Sequence, residues 1–131
     1  MEIEKVSGDY RPLILVAEDD DSNFKLIKAI IGKKCEILWA KNGEDIVNLF
    51  EENRDKAEAI LMDIKMPRMD GLEATHIIRS YSKDIPIIAL TAYAFETDKE
   101  LALEMGCNDF VTKPVSERTL RKALDKYSTI V

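Results

Sequence analysis

LILVAEDDD, residues 13–21, decides the fold: five apolar residues run without a polar interruption and stop against four consecutive acids. A strand with one wet face alternates apolar and polar residues, so an unbroken short run points to a strand buried on both faces, as in a parallel sheet. Three further runs close in the same way, AILM at Asp63, PIIAL at Thr91 and DFVT at Lys113. In an open parallel sheet, ligands bind beyond the carboxyl ends of the strands. Glu18, Asp19, Asp63, Thr91 and Lys113, distant in sequence, are therefore expected at one edge.

Between these runs lie helical patterns. After LILVA (13–17), Phe24, Leu26, Ile27, Ile30 and Ile31 recur at helical spacing from Ser22, with Asp20, Asp21 or Ser22 placed to cap the first free N–H groups. CEILWA (35–40) reads as a second strand, and Asn42–Gly43 introduces a helix with Ile46, Val47, Leu49 and Phe50 on its buried side. AEAILMD (57–63) is a third strand. The loop KMPRMDG, marked by Pro67 and Gly71, leads to the helix LEATHIIRSYS (72–82) and the strand DIPIIALT (84–91). A helix over 96–105 closes at Gly106, NDFVT (108–112) is the last strand, and Ser116 opens a final helix to about Tyr127. Strands alternating with helices imply right-handed crossovers, with helices on both faces of a parallel sheet. The expected class is α/β, doubly wound and flavodoxin-like, with strand order 2-1-3-4-5; its switch point falls between the strands ending at Asp19 and Asp63.

A chain of 131 residues, 46% hydrophobic, suits one domain, read as 12–131 after a polar, flexible leader or linker remnant over 1–11. No apolar run is long enough to span a bilayer, and the opening residues carry no secretion signal, so a cytoplasmic protein is expected. The net charge of −6 argues against direct nucleic-acid binding, which requires a basic footprint. Cys35 and Cys107 lack metal-site spacing and read as free structural thiols.

Three carboxylates cannot share a cleft fully ionised, since two of them about 4 Å apart repel by roughly 4 kcal/mol at an effective dielectric near 20. A hard divalent cation relieves that repulsion, and magnesium suits a site of one or two carboxylates plus phosphate. Calcium fits less well, because no EF-hand spacing is present. With the charge neutralised, an Asp63 oxygen is placed to attack phosphorus in line, while the Lys113 ammonium and Thr91 hydroxyl meet the charge on the phosphoryl oxygens. Taken singly, each residue has a plainer reading: Glu18–Asp21 as a helix cap, Asp63 as a turn former, Thr91 as a strand residue, Lys113 as a solvated loop lysine. Their joint placement at four strand ends favours the chemical one.

The motifs LILVAEDD, LMDIKMPRMDG, IIALTA and FVTKP together resemble the receiver domain of two-component response regulators, over about residues 12–128. The resemblance implies Glu18 and Asp19 as the acidic pair, Asp63 as phosphoacceptor, and Thr91 and Lys113 as phosphoryl contacts. Magnesium is the implied cofactor, held by Glu18, Asp19, Asp63 and the backbone carbonyl of Lys65. It also implies a cis bond before Pro114, and a switch in which Thr91 moves inward and Phe110 follows, altering the surface of the fourth helix, fifth strand and fifth helix. Such a domain is no enzyme in the ordinary sense; it catalyses only its own phosphorylation and dephosphorylation. The EDDDSNFKLI opening and the MDIKMPRMDGLEAT and IIALTAYA runs are most similar to receivers of hybrid sensor histidine kinases. The implied partner is a histidine kinase or histidine phosphotransfer domain, with the chain either standing alone or cut from a longer protein. Pairing of two copies through an exposed helix face stays open, and Lys65 and Tyr93 are implied to influence phosphoryl lifetime.

Two rival functions meet obstacles. A haloacid-dehalogenase-like phosphatase needs a second aspartate two residues after the nucleophile, where this chain has Lys65. A scaffold that has lost phosphorylation would lack Asp63 or Lys113, and both are present. His76, in a helix without kinase motifs, reads as an ordinary helical residue, and Trp39 and the methionines read as packing groups.

Overall fold

The structure is a computed structural model and describes residues 10–92 and 96–127. The expected leader lies outside the described residues apart from Tyr10 and Arg11, as does Tyr93. The elements alternate as β1 (Leu13–Ala17), α1 (Asp21–Ile31), β2 (Glu36–Ala40), α2 (Gly43–Glu52), β3 (Ala57–Asp63), α3 (Gly71–Tyr81), β4 (Ile87–Thr91), α4 (Glu96–Met105), β5 (Asp109–Thr112) and α5 (Glu117–Tyr127). All four strand pairings are parallel, in the order β2-β1-β3-β4-β5.

Alternation along β1 divides the core. Leu13, Leu15 and Ala17 pack with Ile46 and Phe50 of α2, Ile78 of α3 and Ala102 of α4 on one face of the sheet. Ile14 and Val16 pack with Ile27 and Ile31 of α1 and with Leu120 and Leu124 of α5 on the other. Burial on both faces is why β1, β3 and β4 read as apolar runs rather than as alternating ones. The two cysteines fall in opposite clusters, Cys35 under α1 and Cys107 against α3, so the sheet separates them and both are free. Burial is the first reason both thiols are pushed above their ordinary range.

Element ends differ from the sequence reading where side chains take over from the ladder. Asp20 caps α1, accepting from the N–H of Asn23 at 3.0 Å, so the helix starts at Asp21 rather than Ser22. Asn42 caps α2 and Asp70 caps α3 in the same way. Ser116 stands before α5, its hydroxyl accepting the N–H of Thr119 at 3.2 Å. Expected to start β5, Asn108 instead uses its side-chain oxygen to accept the N–H of Ile87 at 2.8 Å, fixing the true start of β4. β2 begins at Glu36, because the Cys35 N–H is spent on Ile31 at the end of α1. Arg11 is tied down as well, its guanidinium donating to the carbonyls of Gly32 (2.5 Å) and Cys35 (2.7 Å). Gly106 takes φ of +117°, the left-handed turn expected after α4. Leu26, placed by spacing on the buried face of α1, is 37% exposed.

Candidate functional site

Register brings the polar strand ends to one level. Ala17 pairs with Met62, Asp63 with Leu90 and Thr91 with Thr112, so Glu18, Asp63, Thr91 and Lys113 emerge along the same carboxyl edge. Glu18 is fully buried, Asp63 is 3% exposed and Thr91 5%, whereas Asp19 faces solvent. Carboxylate oxygens of Glu18, Asp19 and Asp63 lie within 4.8 Å of one another.

Lys113 reaches into this cluster from the β5–α5 loop. Its Nζ is 3.0 Å from Asp63 Oδ2 and 3.1 Å from Glu18 Oε1. Of its two approaches to Glu18, only the longer, 3.4 Å to Oε2, is directed as a hydrogen bond. Oε2 also accepts the N–H of Asp20 at 3.1 Å, whereas the buried Oε1 has the Lys113 ammonium against it but no well-directed hydrogen bond among the described residues. An oxygen whose one partner is an ammonium shared with Asp63 is under-satisfied, and a second cation would complete it. The opposite oxygen of Asp63, Oδ1, accepts the N–H of Lys65 at 3.2 Å, while the Lys65 side chain points outward. The Lys113–Pro114 bond is cis, and the Lys113 N–H donates to the Thr91 carbonyl at 2.7 Å, joining the ends of β4 and β5.

One cation serves two buried acids, and the electrostatics show the deficit. Burial first, and the Glu18 carboxylate second, push the Asp63 carboxyl from 3.8 up to about 7 against the pull of Lys113. Burial alone would lower the Lys113 ammonium, but its hydrogen bond and attraction to Asp63, with Glu18 adding, hold it above 10.5. A cluster of hard oxygens with surplus negative charge and an under-satisfied acceptor fits a divalent metal of the magnesium kind.

Gly71 explains how α3 can start so close to the site. A Cβ there would stand 2.1 Å from the Asp63 carbonyl oxygen, so only glycine lets the helix begin against the end of β3. Phe110 is half-buried on the edge strand, with Lys99 Nζ 4.7 Å from its ring centroid. His76 is exposed on α3, away from the buried groups of the cluster.

Sequence reasoning missed two contributors. Trp39, read as packing, stacks on Phe24 and also donates its indole N–H to the Glu18 carbonyl at 2.7 Å. Pairing of β2 beside β1 creates that contact, and only the strand order could have suggested it. Arg79 braces the far side of the fold, bonding Gly106 O at 2.9 Å, Ser82 O at 3.1 Å and Asn108 Oδ1 at 2.8 Å. No local motif marks it.

The sequence profile of the response regulator receiver domain matches residues 14–125. The chain belongs to that family. This receiver is 42% identical over 120 residues to hybrid signal transduction histidine kinase I of Dictyostelium discoideum, covering 86% of the chain and 7% of that protein. A solved receiver domain of a Pseudomonas aeruginosa sensor histidine kinase, with magnesium in its active-site cleft, superposes with a TM-score of 0.80 at 33% identity, covering 89% of this chain and 97% of that one. A Saccharomyces cerevisiae response regulator receiver, solved with its histidine phosphotransfer protein, gives 0.83 at 32% identity over 90% of this chain and 89% of that one. The receiver spans only 7–14% of the first three curated hybrid and sensor kinases it matches. It is a regulatory signalling domain of two-component phosphorelays, of the kind most like hybrid-kinase receivers. No helix among the described residues is long and apolar enough to cross a membrane.

Proposed function

We propose that this receiver accepts a phosphoryl group from phosphohistidine onto Asp63. The carrying observation is the buried Glu18–Lys113–Asp63 contact, with Nζ 3.1 and 3.0 Å from the two acids, beside the solvent-facing Asp19. An Asp63 oxygen attacks phosphorus in line; the new O–P bond forms as the P–N bond breaks, and the imidazole nitrogen keeps the electron pair. Lys113, already against Asp63, meets the negative charge carried by the phosphoryl oxygens, and the Thr91 hydroxyl at the end of β4 donates to them. Magnesium would be held by Glu18, Asp19, Asp63 and the Lys65 carbonyl, and when bound it would offset the surplus negative charge of the acids. Support for it lies in the three carboxylates gathered within 4.8 Å around a single shared ammonium and in the raised Asp63 carboxyl.

The donor is a histidine kinase or a histidine phosphotransfer domain, on the strength of the kinase relatives and of the yeast complex. Phosphorylation adds close to two negative charges and recruits Thr91, and Phe110 turns inward from its half-buried position, so the α4-β5-α5 surface changes its partner preference. Loss of the group by hydrolysis or by back transfer resets the domain. The receiver domain is assigned to residues 12–131 and its place of work to the cytoplasm. The test is incubation with a small phosphodonor and magnesium, followed by intact mass measurement. Wild type gains the mass of one phosphoryl group and Asp63→Asn gains none; equal labelling of both proteins removes Asp63 from its role.

A further inference from the structure

Trp39, the chain's single tryptophan, sits on the edge strand β2 beside the acidic pair without belonging to it. Its ring lies flat on Phe24 of α1, with centroids 3.9 Å apart and planes 3° apart. Lys41 Nζ is 4.7 Å from the ring centroid and is itself paired with Asp21 at 3.2 Å. The indole is thus held by α1 on one side and by the chain following β2 on another.

Its polar edge has a specific use. The Glu18 N–H donates to the Ala40 carbonyl at 3.0 Å, continuing the β1–β2 ladder one residue past the strand. For the Glu18 carbonyl the backbone supplies no donor among the described residues, and the Trp39 indole N–H takes that place at 2.7 Å. The peptide plane between Glu18 and Asp19 is fixed by this contact. That plane holds Asp19 on one side and the Asp20 N–H bond to Glu18 Oε2 holds it on the other, while the exposed Asp19 carboxylate has no hydrogen bond or ion pair of its own among the described residues.

We propose that Trp39 is a positioning residue of the metal site, its indole N–H locking the Glu18–Asp19 peptide so that the exposed Asp19 carboxylate faces the cation. The inference rests on the reading of Glu18, Asp19 and Asp63 as magnesium ligands. Partners that orient a ligand without touching the metal typically change metal affinity by one to two orders of magnitude when removed. The indole acts through the backbone rather than on the Asp19 carboxylate, and the Asp20 N–H bond to Glu18 Oε2 holds the same segment, so the effect here is expected at the lower end, roughly tenfold.

The test is a magnesium titration of the full chain by isothermal calorimetry, with thermal unfolding of the metal-free proteins alongside. Trp39→Phe keeps an aromatic ring against Phe24 but has no N–H to donate. Phe24→Leu removes the stack and leaves the donor. The expected result is roughly tenfold weaker binding for Trp39→Phe and a change of less than about twofold for Phe24→Leu, even if that variant melts lower. In wild type the emission of this one tryptophan also shifts on magnesium binding. Unchanged affinity in Trp39→Phe overturns the proposal, and so does equal weakening of both variants, which would assign the effect to packing. A wild type that binds no magnesium overturns the metal reading itself, and this inference with it.

Discussion

The charge deficit at the carboxyl edge has a direct thermodynamic consequence, tested by Asp63→Asn. Burial and the neighbouring Glu18 raise the Asp63 carboxyl from 3.8 to about 7 in the folded chain. Between those values the folded protein binds more protons than the unfolded one, so stability falls as pH rises. The stabilisation is complete below the unfolded value near 3.8 and is lost as pH passes through about 7. Three pKa units correspond to about 4 kcal/mol, of which about 2–3 kcal/mol disappears between pH 5 and 8. The other shifted groups stay out of this window: Cys35 and Cys107 lie above 9.0, Lys113 above 10.5, and Arg79, though lowered by its burial, remains a cation there. Asparagine cannot ionise, so Asp63→Asn should lose that slope and exceed wild type at pH 8 by up to about 4 kcal/mol. Urea unfolding at pH 5 and 8 without divalent metal measures both quantities. Adding magnesium at pH 8 should recover much of the difference in wild type and little in the variant, because only wild type has the charge to neutralise. A variant no more stable than wild type at pH 8, or one that keeps the pH slope, refutes the reasoning.

Lys113→Met leaves Glu18 and Asp63 buried without their cation, so the metal-free protein should lose about 3 kcal/mol at pH 8 and recover towards pH 5 as Asp63 takes up a proton; urea midpoints at the two pH values check it. Gly71→Ala drives a Cβ to 2.1 Å from the Asp63 carbonyl oxygen, a backbone atom that cannot swing aside, and should cost about 3 kcal/mol and lower the thermal midpoint. Asn42→Ala removes the α2 cap, whose Oδ1 accepts the Asp45 N–H at 2.8 Å, and should cost about 1 kcal/mol in urea unfolding while leaving phosphorylation intact.

The strand ends were legible because burial of a parallel sheet on both faces leaves its strands no reason to carry acids, a lysine or a hydroxyl at their termini unless something gathers there. Topology was legible for the same reason, from the alternation of apolar runs with helical spacing. The division of labour between Glu18 and Asp19 was not. In sequence they are neighbouring acids, yet Glu18 is enclosed and joined to Lys113, while Asp19 stands in solvent. That difference follows from the pleat of β1 and from the place where β2 stops, which no local pattern encodes. Leu26 shows the same limit, since helical spacing does not fix how wide the buried stripe of α1 is. Trp39 was missed because its hydrogen bond runs between elements 21 residues apart. The caps at Asp20 and Asn42 and the glycine turn after α4 were readable, since their causes lie within a few residues.

The account turns on Asp63 as the atom donor to phosphorus. An acyl phosphate is reduced by borohydride, which leaves homoserine where the aspartate stood, so peptide mapping after treatment with a phosphodonor, magnesium and then borohydride reports the acceptor directly. The account predicts homoserine at position 63 alone, formed only when phosphodonor and magnesium are both present. Homoserine at position 19, or hydroxynorvaline in place of Glu18, with none at 63, or a phosphorylated chain that resists borohydride, would contradict it.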